Sequence, residues 1–370
     1  MISSTGIQQN ILNVQTRALS GLTRPRRIAY IGGQGDANLG DEAMLEAARK
    51  LLEPRHLFDF FYPRQERRLA SLGLSGLRYF EAVVLGGGTL INPHWLEKVS
   101  TAIDLGLPIY SLGTGVGSAG FGMSTAVPID AWRPLLAKFA GLGVRGPISE
   151  RRLRAIGLDN VEAIGDLALS LTPDEPASMF DEPSFAVNIS RSSANRYKDS
   201  NVDDTYPALA ELEIVVRRLT RMGWRGVPIA MHVDDVEPLA SLMENATGTR
   251  PALRIVDSAE RFFELVGGCR LMLAVRLHAG ILSACMGVPP LMLGYRDKCL
   301  DFMQSMQLDE WHIALESAEP GEIVSRATDL VREAPYLRDA VHTRALQWRR
   351  QIEQYVGALP AARREEPARR

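Results

Sequence analysis

Two side chains in the stretch Leu271-Met-Leu-Ala-Val-Arg276-Leu-His278-Ala-Gly280 have the types and the spacing to do chemistry. The stretch predicts a buried apolar strand that runs straight into a helix beginning near Ala279. In extended backbone residues i and i+2 point the same way, so Arg276 and His278 are expected to project together. Their place is the carboxyl end of a strand and the amino end of a helix, where α/β folds gather anions. A guanidinium can grip a carboxylate or phosphate at two points. An imidazole of ordinary pKa, about 6.5, exchanges a proton near neutral pH. The pair therefore suits a reaction on an anionic substrate. Each residue also has a plain structural reading: an arginine bonding the carbonyls that end a sheet, and a histidine hydrogen-bonded beneath a cleft.

Other candidates fall at comparable places. Arg191 follows the first strand of the second half, and Lys298 follows the last, where it could equally be only the first turn of a surface helix. In the first half, three strands each end in a glycine-rich turn: Gly32-Gly-Gln-Gly-Asp36-Ala-Asn38-Leu-Gly40-Asp41, Gly86-Gly87-Gly88-Thr89 and Gly113-Thr-Gly115-Val-Gly117. Parallel strands carry such turns on one edge of a sheet, so the three should line a common crevice with backbone amides turned toward a ligand. The alternative is tight turns where helices pack close to the sheet. The first turn is neither a dinucleotide fingerprint nor a Walker loop, because the spacing fails and no Gly-Lys-Ser/Thr is present. Asp41 stands where a helix N-cap belongs. Its functional reading, shared with Asp36, is a carboxylate that orients a hydroxyl or accepts its proton.

The elements that must position these groups alternate as βα units through 370 residues, enough for two α/β domains. Residues 1–25 read as an arm, 26–175 as one Rossmann-like domain and 183–335 as a second. A proline- and acid-rich linker, Leu171-Thr-Pro173-Asp-Glu-Pro176-Ala-Ser-Met-Phe-Asp-Glu-Pro183, lies between them. Residues 336–370 read as a terminal helix and tail, the last of two helical segments over 320–331 and 336–356. Residues 191–203 form a polar loop that could act as a lid. Hydrophobic content of 46% and charged content of 23% are ordinary for a globular protein. A net charge of -2 leaves no basic excess for nucleic acid. Cys269, Cys285 and Cys299 show neither paired metal-ligand spacing nor CxxC, which fits reduced thiols and no metal. No apolar run reaches the ~20 residues that span a bilayer, and the first twenty residues lack the pattern of an export signal. The expected location is cytoplasmic. Short basic clusters near Arg24 and at the tail would allow weak contact with an anionic membrane face.

Taken in order, Gly35-Asp-Ala-Asn38-Leu-Gly40-Asp41-Glu42-Ala, Val84-Leu-Gly86-Gly-Gly88-Thr89-Leu, Leu112-Gly113-Thr-Gly115-Val-Gly117, Val144-Arg145, Gly165-Asp166, Arg276-Leu277-His278-Ala279 and Gly287-Val-Pro289 with Tyr295 and Lys298 resemble the polysaccharide pyruvyl transferase family. The likeness runs from about Ile28 to Leu308. It implies two Rossmann-like parallel-sheet domains arranged as in GT-B glycosyltransferases, with a C-terminal helix crossing back. It implies transfer of the pyruvyl group of phosphoenolpyruvate to a saccharide hydroxyl pair, giving a pyruvate ketal and free phosphate, with no cofactor or metal. On that reading His278 is the general acid and Asp41 a base or acceptor-orienting group. Arg276, Leu277, Arg191, Lys298 and Tyr295 would bind substrate on the donor side, and Asn38, Gly87, Gly88 and Gly115 on the facing wall. The acceptor, which the family makes a lipid-linked sugar in some settings, cannot be read from segments 118–127 and 191–205, which match no family motif. Two other readings stand beside this one: a nucleotide-sugar glycosyltransferase of the same architecture, and a non-catalytic binding protein.

Overall fold

Strands buried on both faces of a parallel sheet need apolar side chains throughout, and helices then cover each face. Ala82–Leu85, Ile109–Val116, Leu271–Ala274 and Pro290–Gly294 are buried at every position. The computed structural model describes residues 26–33, 38–53, 56–60, 76–117, 129–190 and 205–359, and the structural statements below concern these.

The first sheet is built from β1 (Arg26–Ile31), β2 (His56–Phe60), β3 (Ala82–Leu85), β4 (Gly88–Ile91), β5 (Ile109–Val116), β6 (Gly141–Val144) and β7 (Val161–Ala163). Its order is β2-β1-β3-β5-β6-β7, all parallel, with β4 pairing the outer end of β5. Helices α1 (Leu39–Leu52), α2 (Pro93–Asp104), α3 (Arg133–Leu136) and α4 (Pro147–Ala155) connect the strands.

The second sheet holds β8 (Ser184–Asn188), β9 (Arg225–Pro228), β10 (Leu271–Ala274), β11 (Pro290–Gly294) and β12 (His312–Ala314), in the parallel order β12-β11-β10-β8-β9. Its helices are α5 (Thr205–Arg221), α6 (Val233–Thr247), α7 (Ala259–Val266), α8 (Leu277–Cys285) and α9 (Asp297–Met306). Strand order reverses between β1 and β3 in the first sheet and between β8 and β10 in the second. Such reversals open a crevice at the carboxyl ends of the strands.

A single helix, α10 (Glu322–Ala358), closes the chain. The sequence reading breaks it into two segments with a domain boundary at 335/336, but the helix runs through Pro335 without interruption. Contacts on both sides outweigh the hydrogen bond that proline removes. Arg338 donates to the carbonyls of Ala177 (2.5 Å), Gly267 (2.7 Å) and Cys269 (3.2 Å), and Arg349 donates to Thr172 O at 2.6 Å. Further on, Trp348 covers Gly165 and donates Nε1 to Ser305 O, while the Tyr355 ring packs over Gly141 and Gly143. The helix thus grips the linker and both sheets. One apolar cluster runs through both halves, from Tyr30, Met44 and Ile164 to Phe185, Leu273 and Ile281.

Three smaller differences from the sequence reading concern strands. His56–Phe60 and His312–Ala314 are short strands that carry no clear apolar signature. The expected strand at 254–256 is reduced to one bridge between Ala230 and Ile255.

Candidate active site at the seam between the sheets

The amino end of α1 is built first, because it reaches the other half. Asn38, not Asp41, caps this helix: its Oδ1 accepts from Gly40 N at 3.2 Å, and its Nδ2 donates to Asp41 Oδ2 at 2.9 Å. The capping reading of Asp41 is therefore corrected. It is a first-turn carboxylate, favoured there by the helix dipole, and it lies against the backbone of Gly33. Leu39 N donates to Met231 O at 3.1 Å, which joins the start of α1 to the carboxyl end of the second sheet.

His278 is the second residue of α8 and 14% exposed. Its imidazole lies over Gly40, where a Cβ would come within 2.5 Å of its Cγ. Its Nε2 points to Asp166, 3.7 Å from Oδ1, a distance of ion pairing rather than hydrogen bonding. Asp166 follows β7, is 1% exposed and caps the turn Leu167–Leu171 by accepting from Ala168 N at 3.0 Å. Burial works to raise the Asp166 carboxyl, but His278 and then Arg145 outweigh it and hold the group below its ordinary range. The second-half histidine thus sits inside a pocket made by the first half.

Arg276 N-caps α8 by position, and its backbone N–H is accepted by Asn188 Oδ1 at 3.0 Å. Asn188 also donates to Ile229 O at 2.9 Å, so one buried amide ties together the ends of three chain segments at the strand reversal. The Arg276 guanidinium makes a two-point pair with Asp235, Nε to Oδ2 at 2.7 Å and Nη2 to Oδ1 at 2.6 Å. The carboxylate is fully buried and the guanidinium nearly so, at 13%. Asp235 Oδ2 also accepts from Met231 N at 3.0 Å. Two of the five donors of Arg276 are therefore committed within the fold, and Nη1 makes no bond among the described residues.

Tyr295 follows β11 and contributes to the electrostatic surroundings of Arg276. Lys298 Nζ stands 5.1 Å from its ring centroid and Arg296 Cζ 5.8 Å, a cation–π cluster. Lys298 pairs with no carboxylate among the described residues. Leu277 packs into the core at 3% exposure. Arg191 and Asp36 lie outside the described residues, as does the whole polar loop at 191–203.

The glycines of the facing wall serve close packing. Gly86 makes room for the Tyr30 ring, Gly87 for Met44 Sδ, and Gly115 for the Arg145 guanidinium. Gly88 adopts φ +102°, a conformation that L side chains rarely take. The Gly87 amide is engaged with the Tyr30 hydroxyl. Burial pushes that phenol above its usual range, and Asp41 and Asp166 push the same way.

The charged partners to which the sequence reading gave no role are Asp235, Asp301, and two residues of its own motifs, Asp166 and Arg145. Arg145 is 2% exposed, follows β6 as Arg276 follows β10, and lies 3.8 Å (Nε) from Asp301 Oδ2 of α9. Asp301 accepts from Ile148 N at 2.8 Å and Ser149 Oγ at 2.7 Å, so a second-half acid occupies the amino end of α4. The parallel between Gly-Val-Arg145 and Ala-Val-Arg276 was available in the sequence, each an arginine between a strand and a helix. A separate apolar groove of about 330 Å³ between α5 and α10, lined by Val215, Leu219, Met222, Val324 and Val331, shares no residue with this site. Among the described residues no group of three or more His, Cys, Asp or Glu could hold a metal ion, and no helix is long and apolar enough to cross a membrane.

Two parallel-sheet halves, each with a strand-order reversal, that meet at a common seam define a class of two-domain α/β folds. Solved structures of similar fold bear this out. A putative UDP-N-acetylglucosamine 2-epimerase from Listeria monocytogenes aligns with a TM-score of 0.54 and 12% identity over 89% of this chain and 90% of its own. The S. aureus MnaA–UDP structure gives 0.51 and 12% over 90% and 98%. A UDP-glucosyltransferase from Polygonum tinctorium gives 0.50 and 13% over 90% and 98%. No curated protein sequence matches this chain significantly. The sequence profile of the polysaccharide pyruvyl transferase family matches residues 38–297, and the chain belongs to that family.

Proposed function

We propose that the protein moves the pyruvyl group of phosphoenolpyruvate onto two hydroxyls of a saccharide, forming a pyruvate ketal and releasing phosphate. The observation that carries this reading is His278, an imidazole at the seam that lies over Gly40 with the buried Asp166 carboxylate 3.7 Å from its Nε2. In the first step His278 gives a proton to C3 of the enol, and C2 gains oxocarbenium character. One saccharide oxygen bonds to C2, the C2–O bond to phosphate breaks, and the second oxygen closes the ketal. Of the two hydroxyl protons lost, one replaces that on His278 and one leaves with phosphate, so atoms balance.

Lys298 and the uncommitted donors of Arg276 suit the donor's carboxylate and phosphate. Arg191 is the further cation assigned to that task, with Tyr295 and Leu277 shaping the donor side. Asp41 is assigned to orient or deprotonate the acceptor, with Asn38 and the glycine turns on its wall. We assign the reaction to the cytoplasm, at the inner face of the membrane where the acceptor is lipid-linked, in cell-envelope or exported polysaccharide synthesis. No cofactor or metal enters the proposed steps.

The test compares thermal unfolding with phosphoenolpyruvate and with UDP-sugars, then phosphate release across a panel of saccharides. A melting rise with phosphoenolpyruvate alone, and phosphate release that His278→Ala abolishes without loss of folding, are expected. A rise with the sugar nucleotide alone would assign the cleft to glycosyl transfer instead.

A further inference from the structure

Two helices of the second half leave a groove between them that the seam does not use. Val215, Leu219 and Met222 of α5 line it together with Val324, Ala327 and Val331 of α10, around a space of about 330 Å³. Thr328 also lines it, but its hydroxyl donates to Val324 O of its own helix at 2.7 Å. Glu211, one turn before Val215, is engaged at the start of α10, where it accepts from Gly321 N at 2.7 Å and Ile323 N at 3.1 Å. The polar lining that remains is Arg218 and Arg221, both exposed and paired with no carboxylate among the described residues. Ile214, Arg218, Arg221 and Met222 follow the i, i+4, i+7, i+8 spacing of one helix face. Ile214 and Met222 are 40% and 61% exposed, so that face mixes bare hydrocarbon with free cations.

Charge and size together select an occupant. Two unpaired guanidiniums beside an apolar trough call for a ligand with an anionic head and a hydrocarbon body, and a guanidinium suits a phosphate best. The walls run from Val215 to Met222 and from Val324 to Val331, about 10 Å on each helix, so the mean cross-section of the space is about 30 Å². An α-helix, about 10–12 Å across, is too wide to lie in it, whereas an extended aliphatic chain fits. A second copy of this chain, meeting the face by two-fold symmetry, would set arginines against arginines.

We propose that this face docks on a membrane surface that contains anionic phospholipid, with Arg218 and Arg221 bonding the lipid phosphate and one acyl chain lying in the groove. Ile214 and Met222 then enter the boundary between headgroups and acyl chains, as the apolar face of an interfacial helix does. The dock is separate from the chemistry. Helix α5 leads into the amino end of β9, whereas Arg276 and His278 follow the carboxyl end of β10 in the same parallel sheet. Attachment by this face therefore leaves the seam free, and it stands whether or not the proposed reaction is correct.

The experiment is flotation of the full chain with vesicles of phosphatidylcholine alone and of phosphatidylcholine with phosphatidylglycerol in equal parts. Binding is expected to the second kind only, and to weaken as salt is added. Each arginine near an anionic surface strengthens partition about fivefold, so Arg218→Gln with Arg221→Gln should weaken it about 30-fold. Thr328→Trp, at an exposed position, fills the groove without touching the arginines and should weaken partition at least about tenfold. Melting temperature is read beside each variant, and phosphate release with a soluble saccharide should not change in either. Equal binding to both kinds of vesicle, or to neither, overturns the proposal. So does a loss in the arginine variant with none in Thr328→Trp, which would leave an ordinary basic patch and an unused groove. A dimer in sedimentation velocity that Thr328→Trp dissociates would assign the face to a second copy, and vesicle binding that appears only after removal of residues 1–25 would assign it to that arm; either result also overturns the proposal.

Discussion

Gly40→Ala tests the seam with one methyl group. Gly40 has no positive φ, and alanine in a helix is favoured over glycine by about 1 kcal/mol, so the isolated helix α1 would gain. The new Cβ, however, would lie 2.5 Å from His278 Cγ, where ordinary contact begins at 3.4 Å. The ring must therefore retreat by about 1 Å, or the two halves must part by as much. Overpacking of this kind costs about 1–3 kcal/mol, which leaves a net destabilisation of roughly 0–2 kcal/mol after the propensity gain. A misplacement of about 1 Å in a catalytic group costs about 100-fold in rate. Phosphate release from phosphoenolpyruvate, measured beside thermal unfolding, should thus fall two orders of magnitude with only a small change in melting temperature. Gly40→Ala turning over within threefold of the wild type would refute the reasoning, because it would mean that His278 need not rest where α1 leaves room for it.

Removing one partner of the buried Arg276–Asp235 pair leaves the other charge uncompensated. Arg276→Ala should therefore lose about 3–5 kcal/mol of stability in denaturant unfolding. Arg276→Lys, which keeps the charge but not the fork, should lose less. An unchanged unfolding midpoint for Arg276→Ala would contradict this role. His342 hydrogen-bonds Pro173 O at 3.1 Å, and burial holds its pKa below the ordinary 6.5. Its contribution to stability is full above pH 6.5 and is lost as pH falls through the lower folded value, so melting temperature should drop between pH 7 and 5, and His342→Gln should flatten that slope. Burial pushes the thiols of Cys269 and Cys285 up to about 12 and raises that of Cys299. All three should resist iodoacetamide at pH 8 in the native protein and react in denaturant; rapid native labelling would contradict their burial.

Much of the architecture was legible because the central strands are apolar runs bounded by glycine turns. Ala82–Leu85 and Leu271–Ala274 could hardly be anything else in a βα alternation. His56–Phe60 and His312–Ala314 lack that signature, since each ends a sheet and gains its identity from a neighbour. The single helix through Pro335 was illegible for a similar reason: local propensity argues for a break, and tertiary contacts overrule it. At the candidate site, the arginine and histidine announced themselves by spacing. Their carboxylates did not, because Asp235 and Asp166 meet them across 41 and 112 residues of chain. The glycine turns carried a real signal with two readings, and Gly115 under Arg145 and Gly86 under Tyr30 supply a packing reason for each.

The terminal helix has a mechanical consequence. Its 37 residues make a rod of about 55 Å. Trp348 and Tyr355 clasp one sheet from this rod, and Arg338 clasps the linker and the other. Rocking the sheets apart would peel aromatic rings from bare glycine backbone, whereas a twist about the rod's own long axis would keep most of those grips. A relative motion of the two sheets is therefore expected to be a turn about this rod rather than an opening hinge.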